Sequence, residues 1–217
     1  AKRVLRERGD VILPELEEWT AALDPADENY EHNRLEALWT YQSIDIVEPA
    51  LLDSLLTATD PRVRAAAVRV VKHWHSRMDN PLEALARAVE DENPQVRLEA
   101  VRTLAEIPAP QRMELALRTL GRPVDHFHDY ALWMTARDLK DAWLPALEAG
   151  EFNLELNPEH LEFALRAVDS PTVVEPLLKL VTEGKIPPER QDAALALVAS
   201  LGNSQHLGSV LQLALNS

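Results

Sequence analysis

DPRVRAAAVRVV, residues 60–71, returns as NPQVRLEAVRTL at residues 93–104. Val63, Arg64, Ala67, Val68 and Val71 of the first copy become Val96, Arg97, Ala100, Val101 and Leu104 of the second, at a constant offset of 33. The same frame read backward lands on Tyr30, Arg34, Leu35 and Leu38. Read forward with a shorter spacer, it lands on Phe127, Ala131 and Leu132. A fixed period of this size marks stacked helical units. No such unit buries its apolar face alone, so each depends on its neighbours. Each copy opens on a capping residue followed by proline, Asp60-Pro61 and Asn93-Pro94. A side-chain oxygen there accepts from an unpaired amide, and proline fits the first helical position because its missing N–H is not needed.

Working outward, apolar residues recur at helical spacing through most of the chain. Helices are predicted over Val11–Leu23, with Pro14 in the first turn, Glu28–Ser43, Pro49–Ala58, Pro61–His75, Pro81–Glu90, Pro94–Ile107, Arg112–Leu120 and Asp141–Ala149. Asp125 opens a further helix, DHFHDYALWMTARDL. Asn80-Pro81, Asn157-Pro158, Ser170-Pro171, Pro187-Pro188 and Ser204 each announce another. FNLELNP is the longest irregular connection, and no segment alternates as a strand does. The expectation is all-α: a right-handed superhelix of about six antiparallel helix pairs. Residues 1–217 are expected to form a single repeat domain. The chain opens AKRVLRERG without a Met, so it is expected to be an excised part of a longer multidomain chain.

Composition narrows the chemistry. Cysteine is absent, which removes disulfides, thiolate metal sites, cysteine nucleophiles and CxxCH haem attachment from these residues. The formal net charge is −14, unevenly spread. Gly9 to Pro61 holds thirteen acidic residues against Arg34 alone, whereas Arg62 to Arg122 holds eleven basic against eight acidic. Nucleic-acid binding needs a continuous basic stripe. The middle block is too nearly balanced to supply one, so no nucleic-acid partner is expected. No apolar run has membrane-spanning length, and a soluble segment without membrane insertion is expected.

The D/N-P-x-V-R-x-x-A pattern resembles HEAT-type repeats, in which the helix after D/N-P packs its Val and Ala inward. That resemblance implies a HEAT-like α-solenoid. It also implies a ladder in which an upstream Asp bonds the Arg of the same or the next repeat. Asp91 and Arg97 fit that ladder, Ala58 breaks it one repeat earlier, and His128 replaces the Arg in the following unit. Between the repeats, YEHNRLEALWTYQSIDIVEPALLDSLL and PVDHFHDYALWMTARDLKDAWLPALEAG are similar to the HEAT-repeat region of a planctomycete family. Its members are large cell-envelope proteins described as membrane-bound dehydrogenases with a haem-binding CxxCH domain. The resemblance runs from about Tyr30 to Leu215. It implies a bacterial envelope or periplasmic setting, with a β-propeller upstream and a c-type cytochrome domain downstream. Haem and dehydrogenase activity would belong to those other parts of the parent chain, so no cofactor is expected in this segment.

No catalytic or metal-ligating set emerges. His73 with His75, and His126 with His128, are two residues apart and point to different sides of a helix. Asp125, His128 and Asp129 could form a weak cluster, but capping and inter-repeat hydrogen bonding by Asp125, with a dipole-favoured Asp129, is the preferred reading. His-Glu dipeptides of the iron-binding HEAT-like hydroxylases are missing; Glu31-His32 and Glu159-His160 have the reverse order. No Gly-rich phosphate loop or nucleophile elbow is present. Trp19, Trp39, Trp74, Trp133 and Trp143 all fall on predicted helices. Their spacing with Leu and Val assigns them to the core between repeats, against the alternative of a row of binding anchors.

The expected function is a non-catalytic scaffold for protein partners or neighbouring domains of the same chain. The expected surface is the inner helix row, with Arg62, Arg69, Lys72 and Arg102 framed by acidic ends. The competing reading is a ligand-handling HEAT-like enzyme such as a bilin lyase. Self-association through uncapped solenoid ends is a third expectation.

Overall fold

The computed structural model describes residues 2–109, 111–149, 151, 158–168, 174–184, 186 and 188–216. Among them every regular element is helical, as expected for an all-α solenoid. The chain divides into two compact units, residues 1–107 and 108–217.

The first unit begins with α1 (Lys2–Arg8), a 3-10 turn (Gly9–Ile12) and α2 (Leu13–Ala21). No acidic residue stands in the first turn of α1, so the sequence did not announce it. Gly9 joins α1 to the turn at φ +66°, a conformation that favours glycine. Then come α3 (Tyr30–Ser43), α4 (Pro49–Leu55), α5 (Pro61–Trp74), α6 (Pro81–Ala88) and α7 (Pro94–Leu104). Proline opens each of the last four. Asp60 accepts from the Arg62 amide and Asn93 from the Gln95 amide, as their spacing requires. Asn80 makes no such bond. Its ψ is 62°, against 116° at Asp60 and 125° at Asn93, so its side chain is not aimed at the first-turn amides.

Helices α3, α5 and α7 stack in one layer, with α4 packed between α3 and α5 and α6 between α5 and α7. The repeat frame is the core. Val63, Ala67, Val68, Val71 and Trp74 of α5 are buried, as are Val96, Ala100, Val101 and Leu104 of α7. Each buried Val or Leu contributes roughly 1.5–3 kcal/mol. Leu35 and Leu38 place α3 in the same frame.

The conserved spacing of the two arginines has a polar purpose. Arg64 is buried and donates through Nε and Nη2 to both carboxylate oxygens of Asp91, at 2.8 and 2.9 Å. Its Nη1 donates to the carbonyls of Ala58 and Thr59. Arg97 repeats this last contact on the carbonyls of Asp91 and Glu92. The anticipated Asp91–Arg97 rung is therefore a carbonyl contact, and the Asp91 carboxylate reaches back to Arg64 of the preceding repeat. Burial pushes the Asp91 carboxyl up, but the Arg64 hydrogen bonds and charge outweigh that and hold it below its usual range. Where Ala58 lacks a carboxylate, Glu31 of α3 supplies one. Its two oxygens accept from the amides of Thr59 and Asp60.

The second unit comprises α8 (Arg112–Leu117), α9 (His126–Asp138), α10 (Lys140–Ala149), α11 (Pro158–Val168), α12 (Val174–Thr182), α13 (Pro188–Leu201) and α14 (Ser204–Asn216). A 3-10 turn (Arg118–Gly121) follows α8. Helices α9, α11 and α13 form one layer, and α10, α12 and α14 the other. Met113, Leu117, Leu139, Trp143, Leu147 and Leu165 centre its core. The Trp143 indole N–H donates to the Ala136 carbonyl at 2.9 Å and so ties α10 to the C-terminal turn of α9. Asn203 caps α14, accepting from the Gln205 and His206 amides, and the helix opens at the expected Ser204. The announced starts at Asn157 and Ser170-Pro171, Pro187, and most of the FNLELNP connection, lie outside the described residues. Leu207, Leu211 and Leu215 line the exposed side of α14, the face on which the expected end-to-end association would depend. Among the described residues, no helix is long and apolar enough to cross a membrane.

Candidate functional site

Arg62, Arg69 and Lys72 lie on α5 and Arg102 on α7, and three carboxylates stand within 4 Å of these four cations. Arg62 pairs with its own helix cap, Asp60, at 2.6 Å. Arg69 reaches the nearly buried Glu99 of α7 at 2.9 Å, and Arg102 approaches the same carboxylate oxygen at 3.6 Å. Lys72 pairs with Glu106 at 2.6 Å. Two of these pairs cross-link α5 to the α7 segment. Each partly exposed pair contributes at most about 1 kcal/mol, so they act mainly to cancel charge. The sequence reading missed the acids that pair with these residues.

Beside Arg62 and Arg69 lies an open groove of about 750 Å³ over α3, α5 and the start of α7. Leu35, Val63 and Ala66 form its apolar floor, and Tyr30 and Trp39 contribute aromatic rings. Asp27, Glu28, Glu31 and Asp60 line the same groove.

In the second unit the exposed side of α9 carries a different chemistry. His126, Tyr130, Trp133 and Arg137 stand at i, i+4, i+7 and i+11, on one helical stripe. Phe127 is 60% exposed, Tyr130 63%, Trp133 36% and Met134 37%. The Tyr130 and Trp133 rings lie 6.0 Å apart and nearly parallel, at 18°. The Arg137 guanidinium sits 4.5 Å from the centre of the Trp133 ring. In the sequence frame with the shorter spacer, His126 and Trp133 stand where Arg62 and Arg69 stand in α5 and Gln95 and Arg102 in α7.

This corrects two expectations. Phe127 was placed in the inward frame with Ala131 and Leu132. Leu132 is buried, but Phe127 is outside. His128 holds the buried place at this helix start instead, with its Nδ1 2.7 Å from Asp125 Oδ1. The tryptophans also divide. Trp74 and Trp143 are core, as expected, whereas Trp19 and Trp133 are substantially exposed and Trp39 is half-buried. Trp19 lies on α2, whose helix partner is α3 at the edge of its unit.

Asp125 serves as a cap. Its Oδ1 accepts from the amides of Phe127 and His128, each at 3.0 Å, and lies 2.7 Å from His128 Nδ1. The amide and ring of His128, with the Phe127 amide, bring the Asp125 carboxyl down to about 2. A depressed carboxyl stabilises the fold above its ordinary pKa, and that contribution disappears as pH falls through the folded value. The start of α9 is therefore expected to loosen between about pH 4 and pH 2. Amide exchange at Phe127 and His128 checks this; Asp125→Asn should flatten the pH dependence in that window.

Among the described residues, no group of three or more His, Cys, Asp or Glu is placed to hold a metal ion. The surfaces with distinctive chemistry are thus the paired-charge row with its groove, and the aromatic stripe of α9.

A family model described as HEAT repeats matches residues 48–127, from the start of α4 to the first turn of α9. It covers both copies of the repeat from which the fold was read. Neither curated proteins nor solved structures give a match to the chain.

Proposed function

We propose that this chain is a non-catalytic helical-repeat scaffold whose α9 stripe anchors a protein partner or a neighbouring domain. HEAT repeats are in general protein-interaction scaffolds, which supports this reading. The observation that carries the particular reading is the exposed Tyr130–Trp133–Arg137 stack. Trp, Tyr and Arg are the residues that most often dominate interface energies. Stacking already holds these three in place, so little side-chain entropy is lost on binding. Contiguous exposed aromatic surface on a folded protein usually marks such a contact.

A photo-crosslinking side chain at Met134 should give a discrete protein adduct in extract of the source cells. Trp133→Ala should weaken that contact by about 2 kcal/mol or more, roughly thirtyfold. Folding should lose about 1 kcal/mol, because the change also removes the Tyr130 stack and the Arg137 contact, so the binding loss is read on folded protein. Adducts identical to those from a probe at exposed Glu90 would refute the assignment.

The wider setting is part of the same proposal. The LEALW and DYALWMTARDL segments, residues 35–39 and 129–139, resemble the planctomycete envelope family. They support a place as an internal spacer of a larger cell-envelope redox protein, with any haem held by other domains. A gene encoding a propeller-like stretch upstream and CxxCH downstream is the arrangement this requires.

A further inference from the structure

The groove of the first unit lies on a surface first noticed for its arginines, yet its electrostatics point the other way. Both guanidiniums in its lining are already satisfied, Arg62 by Asp60 and Arg69 by Glu99. The Arg62 hydrogen bond holds the Asp60 carboxyl below its usual range, so that acid remains ionised opposite its partner. What is left over is negative. Four carboxylates line the groove against two guanidiniums. Glu31 spends its oxygens on the Thr59 and Asp60 amides, and Asp27 accepts from Asn29. Hydrogen bonds to neutral amides position these carboxylates without cancelling their charge. Glu28 is exposed at the rim.

From this complementarity we infer that the groove takes a linear protein segment bearing Lys or Arg beside apolar residues. This rests on the scaffold reading and deepens it by naming the chemistry of one partner. Apolar residues of the segment would lie against the half-buried Trp39, since Leu35, Val63 and Ala66 below it are already covered. Its cations would face Glu28 and Asp27 and meet the rings of Tyr30 and Trp39. Tyr30 already takes a cation: the Arg34 guanidinium stands 5.3 Å from its ring centre. A segment rich in Asp or Glu is disfavoured, because the arginines it would seek are paired and the carboxylates around them would repel it. A groove of about 750 Å³ is the size of a few side chains, which suits a short segment better than a flat protein face.

The test uses the whole 217-residue chain and three labelled peptides of matched length, followed by fluorescence anisotropy. One alternates Lys with Leu and Gly; in the others Glu or Ser replaces each Lys. The Lys peptide should bind, and the Glu peptide should not. Glu28→Lys should weaken the Lys peptide about fivefold, with Glu90→Lys, the same charge change outside the groove, moving it less than about twofold. Equal losses in the two variants would reduce the binding to general attraction by an acidic chain and overturn the groove. Tighter binding of the Glu peptide would overturn the cationic partner while leaving the scaffold reading in place. Loss of the α9 adduct in Trp133→Ala is read on a different unit, so the two assignments fail separately.

Discussion

Asp91→Ala is expected to cost about 3–5 kcal/mol, the range for removing one partner of a buried ion pair. The truncation leaves the Arg64 guanidinium enclosed, with the Ala58 and Thr59 carbonyls and a longer, 3.7 Å approach to Glu92 in place of a bidentate carboxylate. Arginine cannot shed its charge to relieve this. Arg64→Ala should cost somewhat less. The abandoned Asp91 carboxylate keeps the Asn93 amide and can take up a proton. Replacing both residues should cost less than the sum of the single changes, because the second removes a charge that the first left unpaired. Urea unfolding of the three variants, followed by amide exchange in α5 and α7, measures each term. Asp91→Ala within about 1 kcal/mol of the unaltered chain would show the pair to be no more than a surface contact.

Trp143→Ala is the corresponding loss in the second unit, about 3–5 kcal/mol for deleting a buried tryptophan. Two effects add. The indole fills the core shared with Met113, Leu139 and Leu147, which would not collapse fully around an alanine. Its N–H also satisfies a carbonyl in the last turn of α9, where helix carbonyls lack intrahelical partners. Trp143→Phe separates them. It keeps most of the volume and loses the hydrogen bond, so about 1–3 kcal/mol is expected. Thermal unfolding of both variants reads the difference. A phenylalanine variant as unstable as the alanine variant would mean that packing in this core tolerates no change of shape.

Much of this fold was legible because its signals are local. Asp60, Asn93 and Asp125 each precede a helix, and each makes the cap that its position implies. Val63, Ala67 and Val68, and their counterparts at Val96, Ala100 and Val101, all point inward. The candidate surfaces were harder to read, for two physical reasons. First, α9 carries two stripes at helical spacing: His128, Leu132 and Ala136, and Tyr130, Trp133 and Met134. Periodicity identifies a helix but does not say which of two apolar stripes faces the core. Burial distinguishes them: His128, Leu132 and Ala136 are buried, whereas Tyr130, Trp133 and Met134 are exposed. Secondly, the charge of Arg69 depends on Glu99, thirty residues on, and that of Lys72 on Glu106. A run of basic residues in sequence is no measure of charge once helices stack.

The reach of Asp91 back to Arg64 also sets an order of events during synthesis. The two residues are 27 positions apart. At about 5–20 residues per second, a ribosome needs roughly 1–5 s to travel from one codon to the other. Through that interval α5 can coil and Glu31 can already clasp the loop before it, since both precede Asp91 in the chain. The guanidinium, however, has no carboxylate to lie against. The bidentate contact of Arg64 is thus completed only after Asp91 has been translated and has joined the folding chain.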